Sequence, residues 1–138
     1  MTAHLGIQRA SKEDSYPLVE EIVEACSDAK GIDTAVLDVS GAFDLSDYFV
    51  VVSGRSDRHV QGICNRISAN LKDTNYRLLS LEGYDDGHWV LMDFGDVVVH
   101  VFYEPLRPHY DIEGLWLNAT QLNAEEILEK KPKRKRAA

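Results

Sequence analysis

The stretch EGYDDGHWVLMDFGDVVVHVFYEP, residues 82–105, sets four aspartates and two histidines around an apolar run. Aspartate and histidine are ligand types for a divalent cation, and an aromatic side chain beside acids also suits a grip on a basic macromolecule. Phe94-Gly95 interrupts the run and reads as a two-residue hairpin turn. That register sets Asp93 opposite Asp96, Leu91 opposite Val98 and Trp89 opposite His100 on one face, with Val90, Met92, Val97, Val99 and Val101 on the other. The second face is apolar throughout and is expected as core. The first is poor core material and good docking material.

Two aspartates facing each other would destabilise the hairpin by a few tenths to about 1 kcal/mol. A divalent cation, a Lys or Arg from a partner, or solvation at the turn would offset that repulsion. No tight ligand spacing fixes a metal here, and the plain structural alternative is a solvated turn with Trp89 as half-buried filler. A basic partner uses all of these residues at once. Elsewhere, SGRSD at 53–57 leads into a helix whose first amides could hold a phosphate, but the spacing is not that of a P-loop. Ser53 or Ser56 as a nucleophile needs a base, and His59 lies on the same helix start, where it does not easily reach round. A capped helix accounts for these residues.

The elements that must carry this hairpin follow from periodicity. Leu18, Ile22, Cys26 and Ala29 recur at helical spacing over 17–30, with Gly31 as the expected C-cap. TAVLDV (34–39) reads as a strand, and YFVVVS (48–53) as a buried one because its β-branched and aromatic run is continuous. Ser56 caps a helix over 56–73 whose Val60, Ile63, Cys64, Ile67 and Leu71 form one stripe. RLLSLEG (77–83) reads as a further strand, 110–119 as helical, and 123–131 as a short terminal helix. Strand, helix and strand over 48–82 make a crossover unit, so the sheet is expected to be mixed, parallel in part and antiparallel at the hairpin. The fold class is a single α/β domain.

The chain has 138 residues, enough for one domain with its own core. The segment KKPKRKR (130–136) holds six of the 15 basic residues, which leaves residues 1–129 with nine basic against 23 acidic side chains, net −14. Such a body is repelled by phosphate backbone and attracted to basic proteins. Residues 1–14 are expected as a flexible start, 15–129 as the domain, and 130–138 as a disordered basic tail. No apolar run approaches the ~20 residues of a membrane span, and MTAHLGIQRASKED lacks the apolar core of a secretory signal. A cytoplasmic protein is expected. Cys26 and Cys64 have no partner at metal-ligand spacing and read as buried thiols.

Three blocks carry a resemblance: LDVSGAFDLSDYFVVVSGRSDRHVQGICNRI (37–67), the hairpin block 82–102, and RPHYDIEGLW (107–116). In order and spacing they resemble the ribosomal silencing factor family, also called Iojap-like, over about residues 17–119. The resemblance implies a nucleotidyltransferase-like α/β fold without enzymatic activity or cofactor. It implies binding to the large ribosomal subunit at universal large-subunit protein fourteen, which blocks joining with the small subunit and damps translation when nutrients are short. It places Trp89, Leu91, Asp93, Asp96, Val98 and His100 at or near the partner-binding face, with Trp89 as the aromatic anchor. Asp47, Tyr48 and Glu82 also match, in roles that serve either the fold or the binding. His59, Gly62 and His109 depart from the pattern. The competing reading is a metal-dependent nucleotidyltransferase-type enzyme using Asp93 and Asp96. A homodimer off the ribosome and contact of the basic tail with ribosomal RNA complete the expected partners, and no DNA or membrane is among them.

Overall fold

The computed structural model describes residues 12–41, 45–115 and 119–130. Helix α1 (Lys12–Asp28) leads to β1 (Ile32–Asp38) and β2 (Tyr48–Gly54), then helix α2 (Asp57–Leu71), and strands β3 (Ser80–Glu82), β4 (Trp89–Asp93) and β5 (Val97–Tyr103). A 3₁₀ turn at Glu104–Leu106 opens into short helices α3 (Arg107–Tyr110) and α4 (Ile112–Leu115), followed by β6 (Thr120–Leu122) and α5 (Ala124–Lys130). The six strands form one mixed sheet in the order β3-β4-β5-β2-β1-β6. Among the described residues only β2 and β5 pair in parallel; the other four pairings are antiparallel. This is the expected mixed α/β domain.

The expected helix α2 forms as its pattern dictates. Ser56 Oγ accepts the His59 N–H at 3.0 Å, and Val60, Ile63, Cys64, Ile67 and Leu71 are all buried on one stripe. With Leu18, Ile22 and Cys26 of α1 and Ile127 of α5 they cover one sheet face, the one that presents Val90, Met92, Val97, Val99 and Val101. Burial pushes the Cys26 and Cys64 thiols up to about 12, so neither is a ready thiolate.

Helix α1 ends differently from the expectation. The left-handed residue is Lys30 (φ 61), with Lys30 N–H on the Ser27 carbonyl at 3.0 Å and Gly31 N–H on the Cys26 carbonyl at 2.7 Å, a Schellman ending. Gly31 is required for space instead: a Cβ there would lie 2.5 Å from Val52 Cγ2.

Other expectations are also corrected. The strand after α2 is short and exposed, lies at the sheet edge, and pairs with β4; it runs parallel to β2 with two strands between them. The parallel neighbour of β2 is β5, because the hairpin folds back between β3 and β2. The helix expected over 110–119 is broken at Asp111 (φ 47), whose Oδ1 accepts the Gly114 N–H at 3.1 Å at the start of α4. Residues 116–118 lie outside the described residues, and 120–122 pair with β1 as a strand. The N-terminal residues 1–11 and the tail 131–138 also lie outside them.

Candidate functional site

The hairpin turns one residue later than its sequence suggests. Phe94 N–H donates to the Val97 carbonyl at 2.9 Å, so the two turn residues are Gly95 and Asp96, and Gly95 takes φ 89. A glycine at the first central position is what a tight hairpin of this kind demands. Asp93 Oδ1 reinforces it by accepting the Gly95 N–H at 2.7 Å. The turn is also fastened from outside: Ser46 Oγ donates to the Gly95 carbonyl at 2.8 Å, and the Asp47 and Tyr48 N–H groups both donate to the Asp96 carbonyl.

Asp93 therefore pairs with Val98, Leu91 with His100 and Trp89 with Phe102. The expected Asp93–Asp96 opposition does not exist: Asp93 lies across from Val98, and Asp96 is a turn residue. The slip relative to the expected register is two residues in pairing, which preserves the period of two, so each strand residue keeps its expected face while Asp96 passes into the turn. Among the described residues, no group of three or more His, Cys, Asp or Glu side chains is placed to hold a metal ion.

The face of Trp89 is a second core as much as a surface. Ala35, Leu37, Val39, Phe49, Val51, Val98, Phe102 and Ile112 form a buried cluster on it, with Trp89 and Leu91 packed at its margin. Burial falls away across the sheet. Val98 (8% exposed) and His100 (5%) are inside, Trp89, Leu91, Asp93 and Asp96 are half-buried, and Ser80 and Glu82 on the edge strand are exposed. The solvent-reachable residues around this patch are thus Trp89, Leu91, Asp93, Asp96 and Glu82, while Val98 and His100 lie beneath them.

Asp47 and Tyr48 belong to the fold. Asp47 is 2% exposed and accepts the Ser15 hydroxyl at 2.9 Å, and Tyr48 is buried under α1 with its ring 6.2 Å from that of Tyr16. Ser53 and His59 are likewise occupied. Ser53 Oγ accepts from Arg107; His59 Nδ1 accepts the Arg55 N–H at 2.9 Å, and its Nε2 meets the Ala29 carbonyl at 2.8 Å. Gly62 is exposed, and a Cβ on it would meet nothing within 4 Å.

Trp89 is held on several sides. Its ring stacks on Phe102 at 5.1 Å, lies 4.6 Å from Tyr110 and 6.1 Å from His100, and its Nε1–H donates to His100 Nδ1 at 3.2 Å. Phe102 and Tyr110 were not among the residues singled out by sequence. Phe102 was legible as the next step of the Val98–His100 alternation; Tyr110 was not, because its place over Trp89 depends on α3. His109 stands edge-on to Tyr110 at 5.3 Å, one ring removed from Trp89.

A half-buried arginine ties α3 to its neighbours. Arg107 Nη2 bonds Glu113 at 2.8 Å while Nη1 donates to Ser53 Oγ at 3.1 Å and the Ile32 carbonyl at 3.3 Å, joining α3 to α4, β2 and β1. It lines a cleft of about 640 Å³ with Asp33, Glu104 and Asp111 at the carboxyl end of the parallel strands. Within that cleft the Arg107 guanidinium is engaged by Glu113.

Fold and site together define a mixed-sheet α/β domain with one face covered by helices and an aromatic, acid-edged patch on the other. The sequence model described as "Ribosomal silencing factor during starvation" matches residues 12–138. A Bacillus subtilis protein named ribosomal silencing factor RsfS is 40% identical over 95 residues, which is 69% of this chain and 80% of that one. A crystal structure from Chromobacterium violaceum superposes with a TM-score of 0.71 at 39% identity, covering 73% of this chain and 84% of that one. One from Bacillus halodurans gives 0.70 at 32% identity, covering 78% and 98%. The chain belongs to the ribosomal silencing factor family.

Proposed function

We propose that this chain is a noncatalytic translation repressor that docks on the large ribosomal subunit through universal large-subunit protein fourteen and prevents joining with the small subunit by steric exclusion. Membership of the silencing factor family supports a ribosomal role. The observation that carries the docking reading is the half-buried Trp89, held among Phe102, Tyr110 and His100 and bordered by Leu91, Asp93 and exposed Glu82. A rigid aromatic beside acids supplies an anchor and a rim for Lys and Arg of a basic ribosomal protein. The net charge of −14 over residues 1–129 acts in the same direction by speeding encounter with such a partner.

In this reading the protein acts in the cytoplasm under nutrient limitation, needs no cofactor, and contacts ribosomal RNA through its basic tail. Off the ribosome it pairs with a second copy. Among the described residues no helix is long and apolar enough to cross a membrane.

The test is co-sedimentation with separated ribosomal subunits in magnesium buffer, using protein either untreated or stripped beforehand by a chelator that is then removed. The unsubstituted protein is expected to pellet with the large subunit alone in both conditions. Trp89→Ala, shown to be folded, is expected to lose about 2–4 kcal/mol of binding. Absence of binding to either subunit, or dependence on metal, would overturn the reading.

A further inference from the structure

His100 carries two unusual features at once. It is a polar ring 95% removed from solvent on a strand of otherwise apolar residues, Val97, Val98, Val99, Val101 and Phe102. Its two nitrogens are also treated differently. Nδ1 receives the Trp89 indole N–H at 3.2 Å, whereas Nε2 is buried with no hydrogen-bond partner among the described residues.

The indole N–H can only donate, so Nδ1 must be the accepting nitrogen and the single proton of the ring must sit on Nε2. A protonated ring would set N–H against N–H. Burial acts in the same sense and lowers the His100 pKa to about 4, so the neutral form persists at neutral pH. A buried donor left without an acceptor is a standing cost to the fold. An apolar side chain of similar volume would avoid that cost, yet only a side chain with an acceptor at the δ position can hold the indole from this place in the sheet.

We propose that His100 is a positioning residue for docking: as the neutral, Nε2-protonated tautomer it fixes the Trp89 indole from behind without itself touching the partner. The inference rests on the docking reading above and assigns His100 a different role from that of its surface neighbours. With the indole already held by Nδ1 and by the Phe102 and Tyr110 rings, its ordering cost falls on folding and not on association.

The geometry makes a discriminating set of substitutions. Asparagine carries its amide oxygen at the δ position and replaces the acceptor; glutamine places its amide one bond further out, level with Nε2; leucine fills volume with no acceptor. Each variant is made with Trp116→Phe, so that Trp89 supplies the sole indole signal. Two readouts are taken: hydrogen exchange of the Trp89 Nε1–H by ¹H–¹⁵N NMR on the free protein, and affinity for the large ribosomal subunit. Thermal unfolding reports the integrity of each variant.

The expected result is slow indole exchange in His100 and His100→Asn, with affinities within about threefold of each other. His100→Gln and His100→Leu should unfold cooperatively, lose indole protection, and bind about tenfold more weakly. Should leucine disrupt folding, the Asn and Gln pair still decides. Equal affinity across the folded variants, or fast indole exchange in the unsubstituted protein, would overturn the positioning role. Failure of the unsubstituted protein to bind the large subunit would instead sink the docking reading and the role built on it, and the free-protein NMR keeps the two failures apart.

Discussion

Trp89 and His100 sit on neighbouring antiparallel strands, diagonal rather than opposite, and are joined by an indole-to-imidazole hydrogen bond of 3.2 Å. The side chain directly opposite Trp89 is Phe102, which supplies a stacking surface, so the indole gains an apolar support from one neighbour and a polar tether from the next. Cross-strand and diagonal neighbours on one face lie within reach of aromatic side chains, which makes this pairing a product of the register.

Burial of His100 makes stability depend on pH. In the unfolded chain the imidazole titrates near 6.5, and in the folded protein near 4. Between those values the unfolded chain takes up a proton that the folded chain refuses, so stability falls as pH drops. The contribution is complete above about pH 6.5, declines toward pH 4 and is level below it, with a span of about 3 kcal/mol. Urea unfolding of the unsubstituted protein and His100→Leu across this range should give a steeper loss for the former. Parallel curves would show that His100 is not the group responsible.

Two glycines should respond in opposite directions to alanine. Gly62→Ala adds a Cβ into open space on an exposed face of α2 and is expected to stabilise by about 0.5–1 kcal/mol. Gly31→Ala drives a Cβ to 2.5 Å from Val52 Cγ2 and 3.1 Å from the Cys26 carbonyl, and is expected to cost about 1–3 kcal/mol. Denaturant midpoints of the two variants check both signs in one experiment.

Arg107→Ala removes the guanidinium that joins α3 to α4, β2 and β1. The side chain of Arg107 is 11% exposed and that of Glu113 is 32% exposed, so partial solvation tempers the loss to about 2 kcal/mol. The more telling readout is Trp89. Released from its fastening, α3 should let Tyr110 move off the indole, shifting Trp89 fluorescence to longer wavelength in a Trp116→Phe background. An unchanged emission maximum would mean that α3 is held without Arg107.

Asp93 combines two roles that one substitution separates. Asp93→Asn keeps an oxygen for the Gly95 N–H, now accepted at 2.7 Å, and removes the charge. The turn should survive with stability within about 0.5 kcal/mol. Association with the large subunit should slow, most at low salt, since rim charges act chiefly on encounter. A normal association rate with a destabilised fold would reverse that assignment and make Asp93 purely structural.

Local periodicity accounts for what could be read from the chain. The stripe of α2 and the two faces of the hairpin follow from spacings of 3.6 and 2, and the Ser56 cap from its hydroxyl; a slip of two residues at Gly95-Asp96 left every strand residue of the hairpin on its expected side. Which residues lie opposite each other depended on the turn, and the turn is fastened by Ser46, Asp47 and Tyr48, some fifty positions earlier. The antiparallel flank of β1 and β6 was equally non-local, whereas the break of the third block at Asp111 is a local turn closed by the Gly114 N–H on Asp111 Oδ1. The candidate site divides in the same way. Trp89, Leu91, Asp93 and Asp96 were legible as a mixed aromatic and acidic face, but alternation along a strand says which side a residue takes and nothing of what covers it. Only the packed second core put Val98 and His100 beneath the surface, and only the tertiary placement of α3 set Tyr110 over Trp89.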